Sequence, residues 1–501
     1  MFELADPFSS PQRPVIEGAR GTISCETPLA AQAGLRAFDL GGTAADALIA
    51  AQAVLVVVAP EACGLGGDML ALVHGVDGRT TAYNGTGTAP LGYGGEAIEG
   101  PNSITVPGMV AAWAALHGAE GRLPLAEVLA PAIRLAEEGL RVGSYLGGAL
   151  QVQRDRLVAG GAQGWPFFDK AAGDLVCLPA LSALLRRIAA EGAPAFYEGE
   201  MAEATARAVQ ALGGTLSTAD LAGHDTVISA PNATDWCGLR LMTQPPMTQG
   251  ILLNMALAAM EAQCPTDAGP DHAVPDHAVP DHAGVELTEA AFAYRARAGE
   301  GLPLMAEALT YDPARALHRG GPRAYLHTAG VAAADAEGRV ISSLVSVFDD
   351  FGSAVYVPEG GFVLNNRAAG FGPAPNDAAP GKRPVHTLAP ALLSGPDGAV
   401  WALATPGADG QVQTLLQVLW KARHGADLAS AVAAPRWRSE AGKLLIEEGH
   451  PSAPRLAALG HALKPLPPGD LRFGAVVAAG LQGGVPRALA DWRRLTTAGA
   501  A

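Results

Sequence analysis

The chain is 501 residues long, 49% hydrophobic and 17% charged, an ordinary globular composition with ample material for a core. Length alone allows about two to four domains. A formal net charge of −15 argues against a general nucleic-acid binder and against a protein held on an anionic membrane surface.

In chain order, residues 1–20 lack both a basic and an apolar stretch, so no secretory leader is read there and a cytoplasmic location is expected. The first third is Ala-rich and helix-like, with Gly41-Gly42 and Gly66-Gly67 as the expected helix caps. Residues 44–60 are nearly all apolar. They carry Asp46 and Gln52 and fall short of the roughly 20 residues a spanning helix needs, so a buried core helix is expected. Residues 125–140 carry a helical apolar stripe interrupted by Pro131. Residues 202–212 read as a helix stopped by Gly213-Gly214, after which Ser217 or Thr218 can cap a short helix.

Residues 270–284 repeat Pro-Asp-His-Ala three times, placing His272, His277 and His282 each after an aspartate. That invites a metal reading. A proline every five residues opposes a regular helix or central strand, and a five-residue period does not converge side chains on one ion. The repeat is therefore read as a surface insertion, without metal and outside catalysis. Residues 286–297 read as a helix, and 301–327 as a flexible Gly/Pro/Ala-rich connection. Strands are expected at 331–334, 340–348, 354–357, 361–364 and 400–403, with a helix at 411–424. This pattern alone gives the α+β class. The cysteines (Cys25, Cys63, Cys177, Cys237, Cys264) form no CxxC pair and read as reduced, buried thiols.

Thr328 stands at the mouth of an expected hairpin. The tetrad Asp335-Ala336-Glu337-Gly338 is a good turn, and the β-branched run after it is a good strand. Pairing back across the turn sets Thr328 opposite Val345 or Ser346, and only the second register brings two hydroxyls together. A threonine becomes a good nucleophile once the chain is cut before it, because the freed α-amine can serve as its base.

From Thr328 onward the chain resembles the small subunit of the γ-glutamyltransferase family, N-terminal-nucleophile hydrolases that cleave themselves before such a threonine. The resemblance runs through Phe351-Gly352-Ser353, Gly361 to Arg367, Lys382-Arg383-Pro384, Thr405-Pro406-Gly407 and Ala434-Pro435-Arg436. Upstream it includes Gly64-Leu65-Gly66-Gly67-Asp68, Thr88-Ala89-Pro90, Val106-Pro107-Gly108, Phe196-Tyr197-Glu198-Gly199 and Pro245-Pro246. It implies a four-layer αββα sandwich, cleavage between His327 and Thr328, and an intertwined pair of segments, 1–327 and 328–501. The two fragments would stay associated, with further dimerisation left open. It further implies Thr328 as nucleophile, Ser346 as a second hydroxyl against it, and Gly407-Ala408 as an oxyanion turn. An ordinary strand threonine, a plain strand serine and a plain turn glycine are the competing readings.

The acyl pocket departs from the family. Thr86 stands where γ-glutamyl enzymes carry a carboxylate-binding arginine, and Gly370 where they carry an amine-binding aspartate. Phe348 replaces an asparagine, Arg367 follows Asn366 in place of a glutamine, and His386-Thr387 replaces a Ser-Ser pair. Asn366, Arg367, His386, Thr387, Thr86 and Phe348 are thus the candidate substrate-binding residues. Arg367 and His386 are candidates for an anionic or carbonyl group, with a structural ion pair as the alternative for Arg367. The pattern is similar to the amidohydrolase-like branch of the family. The expected function is hydrolysis or transfer at a small amide-type acyl bond, without cofactor, nucleic acid or membrane. The alternatives are γ-glutamyl chemistry in a rebuilt pocket and an unprocessed, non-catalytic homologue.

Overall fold

Alternating side chains along the central strands build the interior from both sides. In this computed structural model, which describes residues 13–95, 98–264, 278–322 and 328–501, the strand Ala329–Asp335 turns Val331 and Ala333 toward one helical layer and Ala332 and Ala334 toward a second sheet. Two seven-stranded sheets result. One holds the hairpin of Ala329–Asp335 and Val340–Ser346 at its centre, flanked by Gly21–Cys25 and Asp68–His74. The other centres on Ala391–Ser394, Val400–Ala404 and Val477–Gln482. Between them lie Leu70, Leu72, Leu344, Leu392, Val477 and a run of alanines whose small side chains let the sheets approach.

Helices Pro28–Asp39 and Ala44–Val58 cover the outer face of the first sheet, and helices Gly250–Gln263 and Gly410–Arg423 cover the second. This is the αββα sandwich. Ala44–Val58 is the buried helix expected from its composition. Thr43 and Asp46 close a capping box at its start. Gln52 is satisfied in the core, donating to Ser343 Oγ at 2.8 Å and accepting from Trp113 Nε1 at 2.8 Å. No described helix is long and apolar enough to cross a membrane. Ser217 caps helix Thr218–Ala222, and helix Leu125–Glu138 runs through Pro131.

Four expectations are corrected. Gly66-Gly67 caps no helix: a Cβ on Gly67 would collide with the Ser346 carbonyl, so this pair lets the chain pass close beside the hairpin. The strands expected at 354–357 and 361–364 shrink to the two-residue pair Tyr356–Val357 and Phe362–Val363. Cys177 is exposed, while Cys25 and Cys63 are buried. The fourth correction concerns the repeat. Residues 265–277 lie outside the described residues, but the last copy is no surface insertion. The helix begins at Ala278 rather than 286 and ends at Phe292. Pro280 falls in its first turn, where a missing N–H costs nothing. Asp281 accepts from Trp437 Nε1 at 3.1 Å and from Ser452 Oγ, and His282 is 1% exposed.

Candidate active site

The hairpin register settles where Thr328 sits. Ala329 pairs with Val345 and Gly330 with Leu344, so one further step sets Thr328 across from Ser346. On the other side Ser346 pairs with Asp68. Thr328, Ser346 and Asp68 therefore lie side by side on three adjacent strands, with Thr328 only 2% exposed. Ser346 Oγ accepts the Phe348 N–H at 2.9 Å. Phe348 reaches that N–H geometry at φ 86, a left-handed conformation costly for a bulky residue.

Asp68 anchors the floor beneath this row. Its Oδ2 accepts Arg367 Nε at 2.9 Å and His386 Nε2 at 3.1 Å, and all three side chains are fully buried. The Leu388 N–H donates to His386 Nδ1 at 3.0 Å, which assigns the ring proton to Nε2. Burial and the Arg367 charge push the His386 pKa down to about 4, so the ring is neutral at pH 7. Burial raises the Asp68 pKa, but the His386 hydrogen bond and Arg367 overcome it and hold the carboxyl below its ordinary range. The Arg367 guanidinium lies 4.4 Å from the Phe348 ring centroid, a cation–π contact. Arg367 thus takes the ion-pair place that the sequence left as the alternative. Its partner was missed because Asp68 is 299 residues away.

The other candidates are engaged with the protein in different ways. Asn366 donates to Asp349 Oδ2 at 2.8 Å and to the Ile98 carbonyl at 3.1 Å, and accepts the Asp349 N–H at 3.1 Å. It pins the chain after the hairpin. Thr86 is fully buried; its Oγ1 has no hydrogen-bond partner among the described residues, and its carbonyl accepts Arg383 Nε at 2.7 Å. Arg383 was not among the sequence candidates. It donates to the carbonyls of Thr86 and Asp225. Thr387 is tied through its carbonyl to Gln249 Nε2 at 2.6 Å, and the same nitrogen donates to the Ala408 carbonyl at 3.1 Å. Gln249 so holds the 386–388 segment against the turn at 407–408. His327 lies outside the described residues.

Gly407 has φ 118 and Ala408 φ 50, and helix Gly410–Arg423 starts directly after them. The strand Val400–Ala404 that leads into this turn packs on the nucleophile's end of the hairpin, where a Cβ on Gly330 would meet Val477 Cγ2 at 3.1 Å and Ala404 Cβ at 3.4 Å. Among the described residues neither Gly407 nor Ala408 gives its N–H to another protein group. Two unspent donors beside a helix N-terminus suit a developing oxyanion. Ala408 adopts a left-handed conformation that costs a non-glycine residue about 1 kcal/mol. Ala408→Gly is expected to raise stability by up to that amount with turnover kept within about threefold. Thermal denaturation and a rate assay check it, and a fall in stability would show that the Ala408 methyl packing outweighs the strain.

The αββα sandwich is that of the N-terminal-nucleophile hydrolases. The model of the gamma-glutamyltranspeptidase family matches residues 30–310 and 304–501, and the chain belongs to that family. It is 31% identical to the oxamate amidohydrolase proenzyme of Klebsiella pneumoniae, over 82% of this chain and 83% of the relative. It is 29% identical to the acylase ACY 1 proenzyme of a Pseudomonas species, over 91% and 89%. The crystal structure of cephalosporin acylase from Bacillus halodurans superposes with a TM-score of 0.84 at 29% identity, covering 100% of this chain and 99% of that one. The chain is a hydrolase of this family, similar to proenzymes named as an oxamate amidohydrolase and an acylase.

Proposed function

We propose that the protein cleaves itself before Thr328 and then hydrolyses a small amide whose acyl group carries an anionic or oxo function but no α-ammonium. The register that faces Thr328 with Ser346 carries the first part of this reading. Before cleavage, the Thr328 hydroxyl attacks the His327 carbonyl carbon. The C–N bond breaks, the proton passes to the Thr328 nitrogen, and water hydrolyses the resulting ester. The freed α-amine has a reference pKa near about 8, suited to take the hydroxyl proton during turnover. Ser346 orients the nucleophile, and the N–H groups of Gly407 and Ala408 take the tetrahedral oxyanion. The resulting acyl-enzyme is released to water.

The pocket composition supports the second part. Thr86 and Gly370 supply neither a cation for an α-carboxylate nor an acid for an α-ammonium. Leaving either charge buried without a partner costs on the order of 1–3 kcal/mol or more. The Arg367 charge is already met by Asp68, so the buried Asp68–Arg367–His386 group, with Phe348 against the guanidinium, has no net charge to offer a substrate. Arg383 bonds only backbone carbonyls among the described residues, so its guanidinium keeps the charge to meet an anionic or oxo end beside Thr86. The oxamate and acylase names of the relatives agree with amide substrates that are not γ-glutamyl.

A panel of amides tests this. Turnover of an oxo- or carboxylate-bearing amide without an α-amine is expected to exceed that of a γ-glutamyl anilide at least tenfold in kcat/KM, with Arg383→Ala erasing most of the preference. Faster turnover of the γ-glutamyl anilide would restore γ-glutamyl chemistry as the better reading.

A further inference from the structure

The last histidine of the repeat meets partners that its own period could not supply. His282 and Glu286 stand four residues apart on helix Ala278–Phe292 and so share one face. His461, from the loop before strand Leu463–Leu466, completes the group. One ligand atom from each lies within 4.8 Å of the others, and His282 Nδ1 is 2.8 Å from His461 Nε2. His282 and Glu286 are each 1% exposed.

The surroundings are those of ligands held for a cation. His282 gives its other ring nitrogen, Nε2, to the Asp312 carbonyl at 2.8 Å, which fixes Nδ1 as the lone-pair side facing His461. Glu286 is oriented by the Leu317 N–H at 3.1 Å and by Arg319 Nη1 at 2.7 Å, as ligating carboxylates are. Beside the group, a cavity of about 10 Å³, enough for one water, is lined by Glu286, Glu289, His318, Lys443 and His461, and His282 is not part of its wall. A tetrahedral ion with metal–nitrogen bonds near 2.0–2.1 Å holds its ligand atoms about 3.3 Å apart. The two rings need to part by only about half an ångström, and the carboxylate closes in by rotation.

We propose that His282, Glu286 and His461 bind one zinc-class divalent cation that clamps segment 1–327 to segment 328–501. Two imidazoles and a carboxylate are a borderline-soft set suited to Zn²⁺, with water in the fourth position. Binding replaces the proton between the rings: His461 gives up its Nε2 proton and takes one on Nδ1 from water, so the ring stays a neutral ligand with no net proton lost. Glu286 carries the clamp to Leu317 and Arg319, in the second half of the connection to Thr328. That the ion joins two separate chains rests on the self-cleavage proposed above; the site itself does not.

The test uses the untagged full chain, stripped with chelator and returned to Zn²⁺ or Co²⁺. One equivalent per chain is expected by elemental analysis, with visible tetrahedral Co²⁺ bands and a higher Tm in Zn²⁺. His461→Ala should bind at least tenfold more weakly and show no rise in Tm on adding Zn²⁺ over its own metal-free Tm, which is itself expected to fall somewhat with the loss of the His282–His461 hydrogen bond. Should His461→Ala not fold, Glu286→Gln is expected to weaken Zn²⁺ to the same degree. Thr328→Ala should bind like the wild type, which separates this site from processing. Binding unchanged in His461→Ala and Glu286→Gln would overturn the proposal. So would binding lost when His272 and His277 are replaced by alanine, or no retained metal in the wild type.

Discussion

Thr328→Ala is expected to remain a single chain and to lose turnover by at least about a thousandfold, because the nucleophile and its amine base both vanish. The fold should survive, since Thr328 stands just before the strand Ala329–Asp335 and the ladder from Ala329 onward does not use its hydroxyl. Thr328→Ser keeps an oxygen nucleophile and an amine. It is expected to process and to turn over slowly, the lost methyl leaving χ1 less constrained. A gel and a single-turnover assay on both variants check this. An active Thr328→Ala would remove Thr328 from the chemistry.

The second large effect concerns the buried charges. Removing one member of a buried ion pair strands the other, at a cost of about 3–5 kcal/mol. That approaches the whole stability of many proteins, about 5–15 kcal/mol. Asp68→Asn leaves the Arg367 cation fully buried without its carboxylate, and Arg367→Gln leaves Asp68 with only a neutral His386. Each single variant is expected to yield little folded protein. The double variant removes both charges and is expected to recover most of the loss. Circular dichroism melts of the four proteins decide it. Strict additivity, with the double variant worst, would show that the two charges do not depend on each other.

The sequence made the hairpin legible because everything that defines it is local: the turn tetrad, the alternation and the β-branched run lie within about twenty residues. The register was left between Val345 and Ser346, and the ladder resolves it to Ser346 through partners that local rules do not specify. The sandwich came from the resemblance, since pattern alone reached only α+β. Long-range partners were hidden. Arg367 looked available because Asp68 is 299 residues away, and Gly66-Gly67 looked like a cap because the Ser346 carbonyl it makes room for is equally remote. Pro280 and its repeat looked like a helix breaker, although a proline in the first turn is tolerated there. Arg383 carried no local signal beyond its place in Lys382-Arg383-Pro384, and only the Thr86 carbonyl beside it shows where it reaches.

The intact mass of the purified wild-type protein under denaturing conditions bears most directly on Thr328 as a self-generated N-terminal nucleophile. Two masses are expected, one of a fragment beginning at Thr328 and one of the segment ending at His327, co-eluting as one species under native conditions. A single full-length mass after long incubation, alongside full amide turnover, would contradict the account.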